Sequence, residues 1–552
     1  MNSSPSPSSA KNDPPSAESK SQETSKHRSV FTNPRFWGFL IFFLVFLVPF
    51  GIRNGFTTFI FSIVTFLEVV LLFNILIIVH ELGHFLAAKW CGLKIDKFAI
   101  WFGNPIWSKK IDGVEYIFGS IPAGGYVALP QMAPMEAIEG KSDTPREELP
   151  PASPWQKIIV AFAGPLFSFG LALVFACIVW VVGKPVTYSE ATTTIGFVIP
   201  NNPADQAGLR AGDKILSVDN HPISRFMGMG DSVIWRIVTS TADTIPIEVQ
   251  RGSETVTVQV APQKDLEHDH AWYQRGATRK IGIGPAWESL IIQKVLPDSP
   301  AQLAGLKPGD KITAMNGQPI YSAFAIDYLL KDHPKAPIQF EVSKAEPVGE
   351  YEKSKGKAKL TYDAPTPVTI LPVKPISPDP MPKDTAPTSI GIEEWDPGTV
   401  DIVHPTPFEQ VRDSVEAVTG TLSALFAPHS NIGASQLSGP VGIMNLFFAV
   451  LSSEHGWQYA LWLAVLINVN LAMLNLFPLP VLDGGHIALS LIEWVRRRPL
   501  SMNILEPLQT ACALVLIGYM AFITFFDVQD SGKMAFGSDS GEIKFAPKQG
   551  GQ

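Results

Sequence analysis

The stretch FTTFIFSIVTFLEVVLLFNILIIVHELGHFLAAKW, residues 56–90, decides the fold class of this chain. Residues 56–78 form an apolar run in which Glu68 is the one charged residue, and the run contains neither proline nor glycine. A helix of about 20 predominantly apolar residues crosses the hydrocarbon core of a bilayer. The run continues without a helix breaker into HELGH at residues 80–84. We therefore predict a long membrane helix with polar residues at its end.

The HELGH segment has the spacing of a metal site. His80 and His84 are four residues apart, so a helix places both imidazoles on one face, where they can share a zinc ion. Glu81, one residue after His80, is rotated away from that face, so its carboxylate can reach a metal-bound water but not the metal itself. Ionisable side chains at membrane depth are costly to bury and usually functional. The pattern predicts a hydrolytic zinc site; the alternative is a helix end with incidental polar residues.

A catalytic zinc also needs a third protein ligand and an open position. The segment NLFPLPVLDGGH, residues 475–486, supplies a candidate, because Pro478 and Pro480 interrupt an apolar helix and Asp483 follows. Broken backbone at membrane depth is tolerated where it is buried in protein or lines a polar cavity. Asp483 as third ligand would satisfy both its own charge and the coordination number. The alternative is that Asp483 caps a helix after the break.

Two further polar residues flank this break. The side-chain amide of Asn475 can hold an extended substrate strand, or it can form a hydrogen bond between helices. His486 is either an additional metal ligand or an interfacial polar residue.

Composition limits the remaining function classes. A chain of 552 residues predicts several folding units. Its formal net charge of −8 argues against a general nucleic-acid binder, which needs a basic face or tail. The three cysteines, Cys91, Cys177 and Cys512, predict neither a disulfide framework nor a cysteine zinc knuckle.

Changes in composition divide the chain into segments. The N-terminal tail, residues 1–35, is rich in Ser, Pro, Lys and Glu and is predicted to be disordered. The apolar run that follows it, residues 36–52, is either an uncleaved span, which we favour, or a signal peptide. The predicted segments are the tail (1–35), a candidate extra membrane helix (36–52), the HELGH helix (56–90), a membrane-associated β-hairpin region (91–130), a linker (131–154), a membrane helix (155–183), two soluble units (190–284 and 285–395), an amphipathic helix with a substrate-proximal segment (405–450), a membrane helix with the proline break (457–500), a last membrane helix (503–528) and a tail (529–552).

The two soluble units contain an internal repeat. NPADQAGLRAGDKI at residues 202–215 recurs as SPAQLAGLKPGDKI at residues 299–312, and each copy is followed by a strand-like run and a turn. The repeat predicts two units of the same fold.

Basic residues predict the orientation. Lys94, Lys97, Lys109 and Lys110 follow the HELGH helix, and the run 496–498 is three arginines before the last span. Such clusters favour the cytoplasmic side. The soluble units, one span away from each cluster, are then predicted to lie outside.

The combination of HELGH with NxxPxPxLDG around a soluble repeat region resembles the site-2 protease family of intramembrane metalloproteases. It resembles more specifically the bacterial members with two tandem PDZ domains that act in the sigma-E envelope stress response. The resemblance covers about residues 56–528 and includes PAGGYV (122–127), WQKI (155–158), AGP (163–165) and LSGP (437–440). One position departs from the family, because Ser168 stands where such proteins usually carry Asn.

The resemblance implies a single zinc ion held by His80, His84 and Asp483, with Glu81 as general base. It implies that both soluble units are PDZ-like α+β domains in the periplasm or outside the cell, and that the protein is a multi-pass protein of the bacterial inner membrane.

Within the first PDZ-like domain, the segment TIGF resembles a carboxylate-binding loop, in which Ile195, Gly196 and Phe197 would receive a peptide end. The alternative is that these domains act as a steric filter against substrates with large outer domains.

Substrates of the family are transmembrane segments of single-pass proteins that have been shortened outside the membrane by an upstream protease, including anti-sigma factors and signal-peptide remnants. The expected partners are therefore such membrane proteins and lipid, not nucleic acid. Strand addition to the 94–127 hairpins is the predicted mode of binding, and the candidate substrate-handling residues are Asn475, Pro478, Pro480, Gly124 and Gly125.

The predicted fold class is a polytopic α-helical membrane protein. It has a core of about four transmembrane helices, an extra N-terminal span, membrane-associated β-hairpins and the two inserted PDZ-like domains. A transporter or PDZ scaffold is the main alternative function, but neither needs a glutamate between two ligand histidines. A soluble-facing zinc peptidase anchored by helices is disfavoured, because both metal motifs lie in apolar spans.

Overall fold

The computed structural model describes residues 56–132, 149–264, 278–347, 360–376, 387–396, 398, 400–427, 432–498, 500–537 and 543–546. The predicted N-terminal tail and the candidate first span at 36–52 lie outside the described residues, as does most of the 131–154 linker.

Two long helices form the N-terminal part of the membrane region. Helix α1 spans Phe56–Trp90 and helix α2 spans Pro154–Val182. Ser153 begins α2 with a capping box, since its side chain accepts from the Gln156 amide and the Gln156 side chain accepts from the Ser153 amide. Both helices agree with the predicted spans to within a residue or two.

A four-stranded sheet lies between these helices in the chain. Its strands follow one another in sequence but are ordered β2-β3-β1-β4 in the sheet: β1 (Lys97–Phe102), β2 (Trp107–Ile111), β3 (Val114–Phe118) and β4 (Ile121–Ala128). β2 and β3 form the predicted type of hairpin, with Asp112 and Gly113 at positive φ in the turn. β1 pairs with β3 in parallel, so the region is more than a series of hairpins.

The first soluble unit follows α2 and surrounds its own core, which includes Ile195, Phe226 and Ile247. Its elements are β5 (Lys184–Thr187), α3 (Tyr188–Ala191), β6 (Ile195–Val198), α4 (Pro203–Gln206), β7 (Lys214–Val218), β8 (His221–Pro222), α5 (Val233–Thr239), β9 (Ile245–Arg251), β10 (Glu254–Val260), β11 (Gln263–Lys264), β12 (Arg279–Lys280) and β13 (Ile283–Pro285).

The second soluble unit has a separate core, which includes Leu290, Phe340 and Ile390. Its elements are β14 (Leu290–Val295), α6 (Pro300–Leu303), β15 (Lys311–Met315), β16 (Gln318–Pro319), α7 (Phe324–Asp332), β17 (Ile338–Ser343), β18 (Ala345–Pro347), β19 (Leu360–Tyr362), β20 (Thr366–Ile370) and β21 (Ile392–Trp395). A last strand, β22 (Val400–Val403), pairs with β5 of the first unit.

The sequence repeat corresponds to a structural repeat. Asp213 accepts from the amide of Arg210 at 2.9 Å, and Asp310 accepts from the amide of Lys307 at 3.0 Å. Each aspartate is also paired with a cation later in the unit. Arg251, at the end of β9, lies 2.6 Å from Asp213, and Lys344, directly after β17, lies 2.8 Å from Asp310. The buried aspartate of each repeat, Asp213 or Asp310, therefore makes the same two contacts, one with a backbone amide and one with a cation.

Lys184 joins the first unit to the membrane helices. Its ammonium is buried, lies 3.0 Å from Glu190 and sits 3.9 Å from the centroid of the Trp462 ring. Burial lowers the pKa of Lys184, and Glu190 opposes that shift. This contact, together with the pairing of β22 with β5, fixes the unit close to the C-terminal end of α2.

The C-terminal part of the chain returns to the membrane region. Its helices are α8 (Pro407–Phe426), α9 (Pro440–Leu451), α10 (Gly456–Asn475), α11 (Asp483–Arg496) and α12 (Met502–Gly537). α8 begins the 405–450 segment, in which an amphipathic helix was predicted. The segment predicted at 457–500 consists of two helices, α10 and α11, because residues 476–482 break it. α12 is longer than the predicted 503–528 span.

Five segments of the described chain are long and apolar enough to cross a membrane: Ile60–Trp90, Pro154–Val182, Ala434–Leu451, Gly456–Asn475 and Ile504–Asp530. The polytopic character is thus confirmed. The segment Ala434–Leu451 was not counted from sequence, and its continuous α-helix, α9, has 12 residues. At 1.5 Å per residue, such a helix is shorter than the hydrocarbon core of about 30 Å.

Helices α1, α2, α9 and α10 share one buried cluster. It joins Val69 and Leu76 of α1, Phe175 of α2, Phe447 of α9 and Ala464 of α10. This packing places α1, α2 and α10 side by side around the HELGH segment.

Candidate metal centre

Two histidines and one aspartate converge where α1, α2 and α11 meet. Nε2 of His80 lies 3.2 Å from Nε2 of His84, one turn further along α1. Asp483 is the first residue of α11, and its two oxygens lie 3.3 Å from Nε2 of His80 and 3.4 Å from Nε2 of His84. All three side chains therefore direct a donor atom at one point.

This donor set fits zinc in both chemistry and spacing. Zinc binds imidazole nitrogen and carboxylate oxygen at about 2.0–2.2 Å, so neighbouring donors around a tetrahedral ion are separated by roughly 3.3 Å. The measured separations of 3.2, 3.3 and 3.4 Å match that value. Within the part of the chain that the structure describes, these three residues form the one group of His, Cys, Asp or Glu side chains close enough to hold a metal ion.

Helix α2 orients both imidazoles. Nδ1 of His80 lies 3.0 Å from Oγ of Ser168, and Nδ1 of His84 donates to the Val160 carbonyl at 2.8 Å. Ser168 is fully buried. Because Nδ1 of each ring contacts a residue of α2, the Nε2 atoms remain directed at the metal position.

Two glycines allow α1 and α2 to approach closely. A Cβ at Gly83 of α1 would lie 2.4 Å from the Ala163 carbonyl oxygen of α2. A Cβ at Gly164 of α2 would lie 2.2 Å from Nε2 of His84 and 2.9 Å from Cε1 of His80. The two imidazoles thus occupy the space that a side chain at position 164 would fill.

The proline-containing break brings Asp483 back to the histidines. After α10 ends, the chain folds onto itself so tightly that a Cβ at Gly484 would lie 2.2 Å from the Leu476 carbonyl, and one at Gly485 would lie 1.9 Å from the Leu479 carbonyl. The N-cap of α11 is Leu482, not Asp483. The alternative role of Asp483 as a helix cap is therefore wrong.

The donors line a cavity of about 310 Å³. Glu81, Asn475 and His486 share its wall with Gly124 and Gly125 of β4. The strand passes directly over the glutamate, since a Cβ at Gly125 would lie 3.4 Å from Cγ of Glu81. Nδ2 of Asn475 lies 3.4 Å from Nε2 of His80. The cavity therefore contains metal donors, a carboxylate and a strand together.

Other predicted residues lie outside this cavity. Pro478 and Pro480 shape the break, and the Pro480 carbonyl accepts from the Gln509 side chain of α12 at 3.3 Å. Ile195 lies in the core of the first soluble unit, where its amide donates to the Asp213 carbonyl at 2.8 Å.

The neighbours of Ile195 in the predicted loop have different surroundings. A Cβ at Gly196 would lie 2.2 Å from the Pro285 carbonyl oxygen, which reflects the pairing of β6 with β13. Phe197 lines a groove between the two soluble units. A peptide-binding role for this loop stays a prediction.

The contacts of Ser168, Gly164 and Val160 were not anticipated from the sequence. The AGP motif and the departure at Ser168 were visible, but no pattern shows that both positions face the HELGH histidines. His486, considered as a further ligand, is 8% exposed and lines the cavity, but it is not part of the close donor group.

Membrane-length helices around a close His-His-Asp group, with a glutamate beside it, define a membrane-embedded metal-dependent hydrolase. Comparison with protein families agrees, because the family model for peptidase family M50 matches residues 68–518. The chain belongs to this family, and it is a zinc metalloprotease of the site-2 protease type.

Curated relatives match most of the chain. The regulator of sigma-E protease RseP of Escherichia coli K12 is 26% identical over 483 residues, covering 82% of this chain and 96% of the relative. Protease RseP of Yersinia pestis is 28% identical over 482 residues, with the same coverage of both chains. A candidate zinc metalloprotease of Vibrio cholerae is 28% identical over 480 residues, covering 84% of this chain and 98% of the relative.

Proposed function

We propose that this protease cuts transmembrane segments of single-pass membrane proteins, with His80, His84 and Asp483 as zinc ligands and Glu81 as general base. The observation that carries the proposal is that the metal donors and Glu81 share one cavity with an edge strand, among helices of membrane length. A substrate strand can therefore lie next to the reacting groups.

Zinc, when bound, supplies Lewis-acid activation of a water and of the scissile carbonyl. Glu81 follows His80 directly on α1 and lines the same cavity, so its carboxylate can accept a proton from the attacking water and return it to the leaving amine. Ser168 and Val160 keep the two imidazoles in the orientation that the reaction requires.

The edge strand β4 is the proposed substrate platform. Within the described residues β4 is paired with β1 on one side, and no strand pairs with its other side. Free backbone groups on such an edge can bind an extended peptide. A transmembrane helix must unwind before it is cut, and pairing with β4 would satisfy the hydrogen bonds that its backbone loses. Asn475, which lines the same cavity, can bind the backbone of the same segment.

The proposed orientation places the basic clusters in the cytoplasm and both soluble units outside, in a bacterial inner membrane. The relatives named regulators of sigma-E protease support anti-sigma factor-like proteins or signal-peptide remnants as the substrate class. An upstream protease would first shorten such substrates outside the membrane.

We propose further that the two soluble units are PDZ-like domains that control access. A groove of about 300 Å³ lies between them, lined by Phe197 and Ile283 of the first unit and Phe324 and Tyr328 of the second. The rings of Phe197 and Tyr328 are 5.7 Å apart. The groove has room for a peptide end, and the two units together also form a barrier to large outer domains.

The decisive experiment compares wild type with Glu81→Gln in a host that lacks such a protease. A single-pass reporter with a short outer segment is the substrate, and zinc content is determined for both proteins. We expect cleavage by wild type alone, with about one zinc in each protein, since Glu81 is not a ligand. Cleavage of the reporter by Glu81→Gln at the wild-type rate would contradict the role of Glu81. A wild-type protein that holds zinc but leaves the transmembrane reporter uncut would contradict the substrate class.

A further inference from the structure

A short segment beyond the last membrane helix lies against the second soluble unit. It consists of Ile543, Lys544, Phe545 and Ala546. The carbonyl of Lys544 accepts from the amide of Ile376 at 2.8 Å, and Lys544 forms a β-bridge. Phe545 is 6% exposed, while Lys544 and Ala546 are exposed. This alternation is that of a strand with one face buried.

Phe545 occupies a specific position on the unit. A Cβ at Gly391 would lie 3.1 Å from Cε2 of Phe545 and 2.1 Å from Cβ of Ser299. Ser299 is fully buried and caps α6, and Ile390 belongs to the core of the unit. The aromatic ring therefore rests where the backbone before β21 passes the start of α6.

The receiving edge of the unit is itself strand-like. Val373 forms an antiparallel β-bridge with Ser389, two residues before Gly391, and Ile376 then bonds to the tail. A main-chain hydrogen bond at a strand edge combined with an alternate side chain in a pocket is the pattern of peptide binding by β-augmentation.

We infer that this edge of the second unit is a binding site for extended peptides with the pattern apolar, any residue, aromatic, and that residues 543–546 are its internal ligand. The site differs from the metal cavity and from the groove between the units, and its ligand lies beyond residues 68–518 matched by the family model.

The docked tail ties α12 to the second unit. α12 ends at Gly537, and the six peptide steps to residue 543 reach at most about 20 Å. Asp527 of α12 also accepts from the amides of Gly439 and Gly442 at the start of α9, at 2.9 and 2.8 Å. α12 is thus connected to the second soluble unit through residues 543–546, and it also contacts α9 directly. α9 in turn belongs to the buried cluster of the membrane helices.

Hydrogen exchange of the full-length protein in detergent tests the inference. We compare the Ile376 amide in wild type, in a chain ending at residue 542, in Phe545→Ala and in Ala546→Ser, whose side chain is exposed. We expect at least about tenfold faster exchange in the truncated chain and in Phe545→Ala, because the acceptor carbonyl is lost or loosened, and no change in Ala546→Ser. Unchanged exchange in the truncated chain would overturn the inference.

A second measurement distinguishes loss of the ligand from general loosening. A synthetic peptide of residues 541–552 is added to the truncated protein, and a version with Phe545→Ala serves as control. We expect the first peptide to restore protection of the Ile376 amide and the second to leave it unprotected. Restoration by neither or by both would contradict a site that recognises the aromatic residue. Neither measurement depends on proteolysis, so the inference can fail while the proposed function stands.

Discussion

The Oγ of Ser168 lies 3.0 Å from Nδ1 of His80, and both residues are buried. The contact connects α2 with α1 and fixes the ring nitrogen that faces away from the metal position. We propose that this contact orients His80 for zinc, although Ser168 cannot itself reach the metal position from the far side of the ring.

Ser168→Ala tests that role. Loss of an outer-shell partner of a metal ligand typically lowers metal affinity or activity about 10- to 100-fold, and we expect a loss of that size in zinc affinity, measured by competition with a chelator. Ser414→Ala is the control, because this buried serine donates to the Gln410 carbonyl of its own helix α8. A zinc affinity of Ser168→Ala equal to that of the control would remove the orienting role.

Gly164→Ala tests the close approach of the helices. The added methyl group would lie 2.2 Å from Nε2 of His84, so the imidazoles must move away from Asp483. We expect loss of bound zinc and of cleavage. Gly170→Ala is the matched control, since it lies on the same helix and its Cβ would meet no atom within 4 Å. Zinc content of Gly164→Ala equal to that of Gly170→Ala would show that the histidines do not occupy this space.

Lys157 and Glu493 form a buried ion pair that holds α11 against α2. Their charged atoms are 2.6 Å apart, and each side chain is 11% exposed. Removing one partner of such a pair costs about 3–5 kcal/mol, because the other charge stays buried without compensation. Lys157→Met should therefore lower the thermal unfolding temperature in detergent, and Lys157→Met with Glu493→Leu should recover most of the loss. A double variant as unstable as the single one would contradict this account.

The metal centre could be predicted from sequence because its chemistry is local. His80, Glu81 and His84 lie within five residues, and Asp483 follows a proline break whose position at membrane depth already demands a function. The other membrane-length segments were predictable for a similar reason, since length and apolar composition suffice, but Ala434–Leu451 was missed. The repeat around Asp213 and Asp310 was visible in the letters alone.

Features that depend on contacts between distant segments could not be predicted. The parallel pairing of β1 with β3, the position of Gly164 beneath the imidazoles and the bond from Ser168 to His80 all arise from packing. Docking of Phe545 on the second unit is of the same kind. The sequence contains the residues for these contacts but no periodicity or spacing that reveals their partners.

Asp483→Asn and His486→Asn together test whether three or four side chains hold the zinc. Asp483 directs both oxygens at the histidines, whereas His486, three residues further on α11, lines the cavity outside the donor group. Because a neutral amide is a poor zinc ligand compared with a carboxylate, we expect Asp483→Asn to lose most of its zinc. His486→Asn should retain about one zinc per chain, since catalytic sites keep three protein ligands and an open position. Zinc content is measured by atomic absorption on both purified proteins. Equal loss from the two variants would make His486 a fourth ligand, leave no open position for water, and contradict the hydrolytic site proposed above.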